Sequence, residues 1–100
     1  MNKRAQACQI PEIVKRKVYE RDDGLCIFCG RMGAPEAHII PRSHGGLGNE
    51  YNIITVCRTC HEAMDNGRYR EAFVRTAQEY IASKYGAWDP ARAKYRKGEI

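Results

Sequence analysis

Four cysteines fall in two Cys-x-x-Cys pairs, Cys26 with Cys29 and Cys57 with Cys60. Thiolates at that spacing converge on one ion, and zinc takes four of them in a tetrahedron with Zn–S near about 2.3 Å. In an oxidising compartment the same four could form two disulfides, but no feature of the chain points to secretion. A structural zinc held by Cys26, Cys29, Cys57 and Cys60 is therefore expected, with Cys8 left over as a spare thiol. Within this staple, or just past its last cysteine, lie His38, Gly45-Gly46, Asn52, His61 and Asp65. Closing the staple must bring these groups together, and the bound metal adds folding free energy that a small core lacks. Taken singly, each has a plain reading: His38 a packed histidine, Asn52 a turn residue, Asp65 a helix-end carboxylate beside Asn66 and Gly67.

The elements that must hold these groups read as an α+β arrangement. Residues 1–10 are polar and basic without a clear period, the composition of a flexible arm. From Pro11 to about Asp22, Ile13, Val14 and Val18 recur at helical spacing, and Asp22-Asp23-Gly24 ends that helix. Lys15, Arg16, Lys17 and Arg21 give it a basic face. Cys26 to Gly30 forms a tight knuckle. Glu36 to Ile40 reads as a short strand stopped by Pro41, and Ile53 to Val56 as a second, β-branched one. Between them, Ser43 to Asn49 is turn-rich, so the two strands form a hairpin. A helix starts near Thr59 and runs to Asn66, where Gly67 interrupts or ends it. Tyr69, Phe73, Ala77, Tyr80, Ile81 and Tyr85 then line one face of a long helix from about Arg68 to Tyr85, with Gly86 as its cap. That stripe is expected in the core. Residues 11–86 thus read as the domain and 87–100 as a basic tail in which Trp88 and Tyr95 could anchor.

At 100 residues, 43% of them hydrophobic and 29% charged, the chain has room for one core. No apolar run of membrane-spanning or signal-peptide length is present, so a cytoplasmic, intracellular location without membrane association is expected. Seventeen Lys and Arg against twelve Asp and Glu give a net charge of +5. That excess draws polyanions, which puts nucleic acid first among partner classes. Lys15, Arg16, Lys17 and Arg21, with Arg92, Lys94, Arg96 and Lys97 in the tail, are candidate phosphate contacts.

In order along the chain, several short motifs combine: Arg21-Asp22, the Cys26/Cys29 knuckle, Ala37-His38-Ile39-Ile40-Pro41-Arg42-Ser43, Gly45-Gly46, Asn52-Ile53 and Cys57-x-x-Cys60-His61. His38 and Asn52 stand 14 positions apart, and Asn52 and His61 nine. This pattern, over about Val14 to Asn66, resembles the zinc-containing HNH endonucleases, whose active unit is the ββα-metal fold. The resemblance implies a ββα-metal core with a short antiparallel hairpin, a structural zinc and flanking helices. It implies a phosphodiester hydrolase acting on DNA, encoded by a bacterium or a phage. It further implies that His38 is the general base, that Asn52 holds the hairpin loop and hence the angle of His38, and that His61 binds a catalytic divalent metal, Mg2+, Mn2+ or Ni2+.

An imidazole suits the first role because much of it is neutral near pH 7. Asp65, one helical turn beyond His61, is offered as a second ligand because both side chains share a helix face. Many family members carry Asp or His just before the base histidine as a metal ligand, and this chain has Ala37 there. Three outcomes stay open: His61 and Asp65 hold the metal with water and phosphate oxygens, Glu36 reaches in from the strand face it shares with His38, or the site is silent and the chain only binds nucleic acid. Arg42 and His44 flank the loop and could hold the phosphodiester. Pairing of two chains through the aromatic helix to cut both strands is also left open.

Overall fold

The computed structural model describes residues 2–96. Two short helices, α1 (Lys3–Cys8) and α2 (Glu12–Arg21), precede the first strand, β1 (Ala34–His38). A 3-10 turn at Arg42–His44 leads to β2 (Ile53–Val56), then α3 (Arg58–Asn66), α4 (Arg70–Tyr85) and a last turn of helix, α5 (Pro90–Ala93). The result is a mixed helix and strand fold around one two-stranded antiparallel hairpin, consistent with ββα-metal. Val14 and Lys15 close the first turn of α2 on the Pro11 carbonyl, so the helix starts where the sequence placed it.

β2 is buried along its whole length. Its β-branched side chains suit that position because they lose little further freedom on a packed sheet. β1 lies two residues earlier than expected. His38 pairs with Ile53, Ala37 with Ile54 and Ala34 with Val56, with an irregularity between Ala34 and Ala37. Pro35 sits in that irregularity, where its missing N–H takes nothing from the ladder. At the other end, Ile40 leaves the ladder because its N–H is taken by the Asn52 side chain.

The core gathers Ala37, Ile39, Ile54 and Val56 from the hairpin, Met64 from α3, and Ala77 and Ile81 from α4. Phe73, Tyr80 and Tyr85 pack against it, Phe73 meeting Phe28 edge-on at 4.8 Å. The expected stripe of α4 thus faces the core, with Ala77 and Ile81 buried and its aromatic rings partly so. Tyr69 differs from the expectation: it caps α4 and is 65% exposed. No helix among the described residues is long and apolar enough to cross a membrane.

The first residues, read as a flexible arm, pack on the domain, and the basic tail is anchored through Trp88 and Tyr95 as far as it is described. α1 is capped by Asn2, whose side chain accepts from the Ala5 N–H, and it buries Cys8. The C-terminal stretch lies across the hairpin loop: Leu47 donates to the Ala93 carbonyl and Tyr95 to the Gly45 carbonyl. Ala93 is buried, Trp88 packs on the core, and the Arg92 guanidinium stacks on Tyr51 at 3.7 Å. Backbone groups at each terminus thus pair with the loop, a bonding pattern that composition does not reveal. Lys97 lies outside the described residues.

Arg21 is the clearest correction among the basic residues. It ends α2 facing inward, forks onto both Asp22 oxygens at 2.7 and 3.0 Å, and donates to the Glu50 and Ile53 carbonyls. Asp22 in turn accepts from Tyr80 and from the Thr55 N–H. Burial alone would push the Asp22 carboxyl up, but hydrogen bonds from Arg21 and Tyr80 and the adjacent positive charge hold it below the usual carboxylate range. An arginine committed to a buried carboxylate and two carbonyls joins the strands to α4, and it is not free for a phosphate.

Candidate metal centre and cleft

The knuckle and the start of α3 bring four sulfurs together. The Sγ atoms of Cys26, Cys29, Cys57 and Cys60 all lie within 4.8 Å of one another, and none is in a disulfide. Tetrahedral coordination at about 2.3 Å sets sulfurs about 3.8 Å apart. Cys29 and Cys57 stand at 3.6 Å, so little movement would close such a site. Cys57 is also the N-cap of α3, accepting the Cys60 N–H on sulfur. That hydrogen bond brings the Cys57 thiol down to about 7, whereas burial and the neighbouring sulfurs push Cys60 up. Thiols this close cannot all ionise unless a cation offsets their repulsion. The four cysteines are thus placed to bind one metal ion, consistent with structural zinc, and Cys8 stands apart from them.

The hairpin loop is held by one amide. Asn52 is fully buried; its Oδ1 accepts the Ile40 N–H at 2.8 Å, and its Nδ2 donates to the Ile40 carbonyl at 3.1 Å and the Leu47 carbonyl at 2.9 Å. The amide can face only one way, since two of its three partners are acceptors. Gly46 permits this closure, because a Cβ there would overlap the Ile40 carbonyl.

A cleft of about 830 Å³ opens beside that loop. His38 from β1, His61 and Asp65 from α3, and Glu36 from β1 share its lining with Lys15, Arg42 and Arg70. His61 Nε2 lies 3.3 Å from an Asp65 oxygen, the i to i+4 pair that one helix face allows. Arg70 approaches the other Asp65 oxygen at 3.7 Å and donates to the Met64 carbonyl. Among the described residues, only the cysteines form a group of three or more metal-ligating side chains within reach of one ion. His61 and Asp65 fall short of such a group and stand side by side on the cleft wall. Ala37 is wholly buried in the core, so that backbone position does not address the cleft at all. Glu36 does, and it also lines an adjoining groove of about 500 Å³ with His61, Asp65 and Arg58.

His38 Nε2 stands 2.9 Å from the carbonyl oxygen of Cys8. A carbonyl only accepts, so Nε2 carries the proton and, in the neutral ring, Nδ1 is left with the lone pair. Burial lowers the pKa of this ring below the ordinary histidine value; Arg42 and His61 act in the same direction, against the Cys8 carbonyl and Asp65. A neutral imidazole at pH 7 follows.

The remaining sequence candidates separate. Lys15 and Arg42 reach the cleft lining, whereas Arg16 and Lys17 are exposed on α2 outside it. His44 is exposed, its ring 3.2 Å from the Ser43 hydroxyl, and it is not part of the cleft wall. Sequence reasoning missed Gln9, Ile10 and Arg70 in the lining and the Cys8 carbonyl on His38. Only Arg70 had a signal, a basic residue one turn past the Gly67 break. Residues 26–75 match the family model described as HNH endonuclease. No curated protein matches the chain.

Proposed function

This chain belongs to the HNH endonuclease family, and from that premise we propose that it hydrolyses the phosphodiester backbone of DNA with a histidine base and one divalent cation. The observation that supports this most is the shared cleft: His38, His61 and Asp65 face one space together with Lys15, Arg42 and Arg70. A sugar-phosphate strand lying there would find cations for its phosphates and a neutral imidazole for an attacking water.

In this reading His38 accepts a proton from water on Nδ1, while Nε2–H stays on the Cys8 carbonyl. Water attacks phosphorus directly, so neither a cysteine nor a serine nucleophile is required. His61 and Asp65 would hold Mg2+, Mn2+ or Ni2+, whose positive charge would offset the negative charge developing on the transferring group and the departing 3′ oxygen. Asn52 fixes the loop that follows His38. The four-cysteine site, filled by zinc, ties the knuckle to α3 and so sets His61 relative to the hairpin.

A second reading has one observation in its favour. Ala37 removes the carboxylate or imidazole that many family members present beside the base, and its methyl faces the core. The chain would then be a zinc-dependent module that binds nucleic acid without cutting it. Supercoiled plasmid incubated with the protein and each of the three cations separates the two. Metal-dependent nicking is expected; binding without nicking under every cation would leave the silent module.

A further inference from the structure

We propose that the N-terminal segment Asn2–Ile10 is a working part of the cleft, in which the Cys8 carbonyl acts as the positioning group for the His38 ring; this rests on the reading of His38 as the base. The segment lies outside the matched residues 26–75. A six-residue helix is far too short to stand alone in water. What holds α1 is a set of contacts to the loop that follows His38. The Gly48 N–H donates to the Ala7 carbonyl at 3.0 Å, and Arg4 Nη2 donates to the Ser43 carbonyl at 2.7 Å. Cys8 is 2% exposed, and Gln9 and Ile10 continue into the cleft wall.

Gly48 marks how close this docking is. A Cβ there would overlap the Gln9 carbonyl, and its φ lies outside the left-handed region, so nothing in its own backbone demands glycine. The side chain is absent to admit the segment. The last carbonyls of a helix lack partners within it. For α1, one of these meets the Nε2–H of His38 and satisfies both groups at once. An imidazole with one nitrogen so engaged is confined to one tautomer and one ring orientation, which is what a base within reach of a substrate water needs. Docking for stability alone would not require that carbonyl to fall on the ring.

The test uses the full chain labelled with 15N-histidine, as wild type, Gly48→Ala and the double variant Asn2→Ala/Arg4→Ala. Readouts are zinc content, the His38 tautomer from long-range 1H–15N correlation, and kcat and KM for plasmid nicking. Wild type is expected to show a single Nε2–H tautomer. Gly48→Ala, with its zinc retained, is expected to show mixed tautomers and a kcat lower by about tenfold or more, since misplacing a reacting group by an ångström costs up to about a hundredfold, with KM little changed. The double variant, which removes the cap and the Ser43 anchor without touching the loop, should move both readouts in the same direction and decides the matter if Gly48→Ala does not fold. An Nδ1–H tautomer in wild type, or an unchanged tautomer and kcat in the variants, would overturn the proposal. Tautomer scrambling in variants of a protein that never cuts DNA would leave the positioning intact and remove the nuclease reading instead.

Discussion

Replacing Asn52 by alanine should cost both stability and cleavage, for reasons that can be counted. The side chain satisfies the Ile40 N–H, the Ile40 carbonyl and the Leu47 carbonyl, and the residue has no solvent exposure through which water could substitute. Leaving a buried polar group without a partner costs about 1 to 3 kcal/mol. At the lower figure three such groups come to about 3 kcal/mol, a large share of the roughly 5 to 15 kcal/mol expected of a small domain. Urea unfolding of zinc-loaded wild type and Asn52→Ala, followed by tryptophan fluorescence from Trp88, would read this as a lower midpoint at constant slope. Asn52→Asp is the informative companion: it keeps the acceptor for the Ile40 N–H but turns carboxylate oxygens toward two carbonyls, so it should be no more stable than alanine. In nicking assays at a temperature where Asn52→Ala stays folded, kcat should fall because the loop after His38 is released. A midpoint within error of wild type would refute the assignment of this amide as the clasp of the loop.

Other expectations follow from the same geometry. His38 must be neutral to accept a proton and its pKa lies below the ordinary value of about 6.5, so single-turnover cleavage should rise through that lowered pKa and already be level at pH 7; a midpoint above 7 would contradict it. Asp65→Ala should raise the divalent cation concentration needed for half-maximal nicking, and an unchanged metal titration would remove Asp65 from the site. Asp22 is held below its ordinary pKa, so it contributes stability above the unfolded value near about 3.9 that is lost as pH falls through the folded one. Asp22→Asn, by stranding the buried Arg21 charge, should lose about 3 kcal/mol at neutral pH and show a flatter acid limb below pH 4 in unfolding measurements.

The parts of the fold legible in the sequence are those whose side chains carry the signal. Ile53 to Val56 is a β-branched run, and β2 spans those four residues. The Cys57-x-x-Cys60-His61 stretch combines a cap, two metal thiols and a cleft imidazole in one turn of α3, so the centre and the cleft could be placed together. Legibility failed where backbone does the holding. Ala34-Pro35 has no strand composition and joins β1 because the register with β2 recruits Ala34 opposite Val56. α1 looks like a polar arm, yet carbonyls of Ala7 and Cys8 and the bare backbone of Gly48 dock it on the loop. Arg21 follows the basic helix face in one dimension and turns inward only because Asp22, Tyr80 and the Ile53 carbonyl surround it in three. Arg70 reaches the cleft because the break between α3 and α4 sets it against Asp65 and the Met64 carbonyl, a placement no periodicity encodes.

In the proposed reaction the imidazole at position 38 takes the proton from the water that attacks phosphorus. Single-turnover cleavage of a DNA duplex by wild type and His38→Ala, matched for zinc content and for duplex affinity at saturating Mn2+, tests it most directly. General bases contribute about 10² to 10⁴ in rate, so a loss of at least about a hundredfold with both controls unchanged is expected. Cleavage by His38→Ala within threefold of wild type, roughly 0.65 kcal/mol, would contradict it.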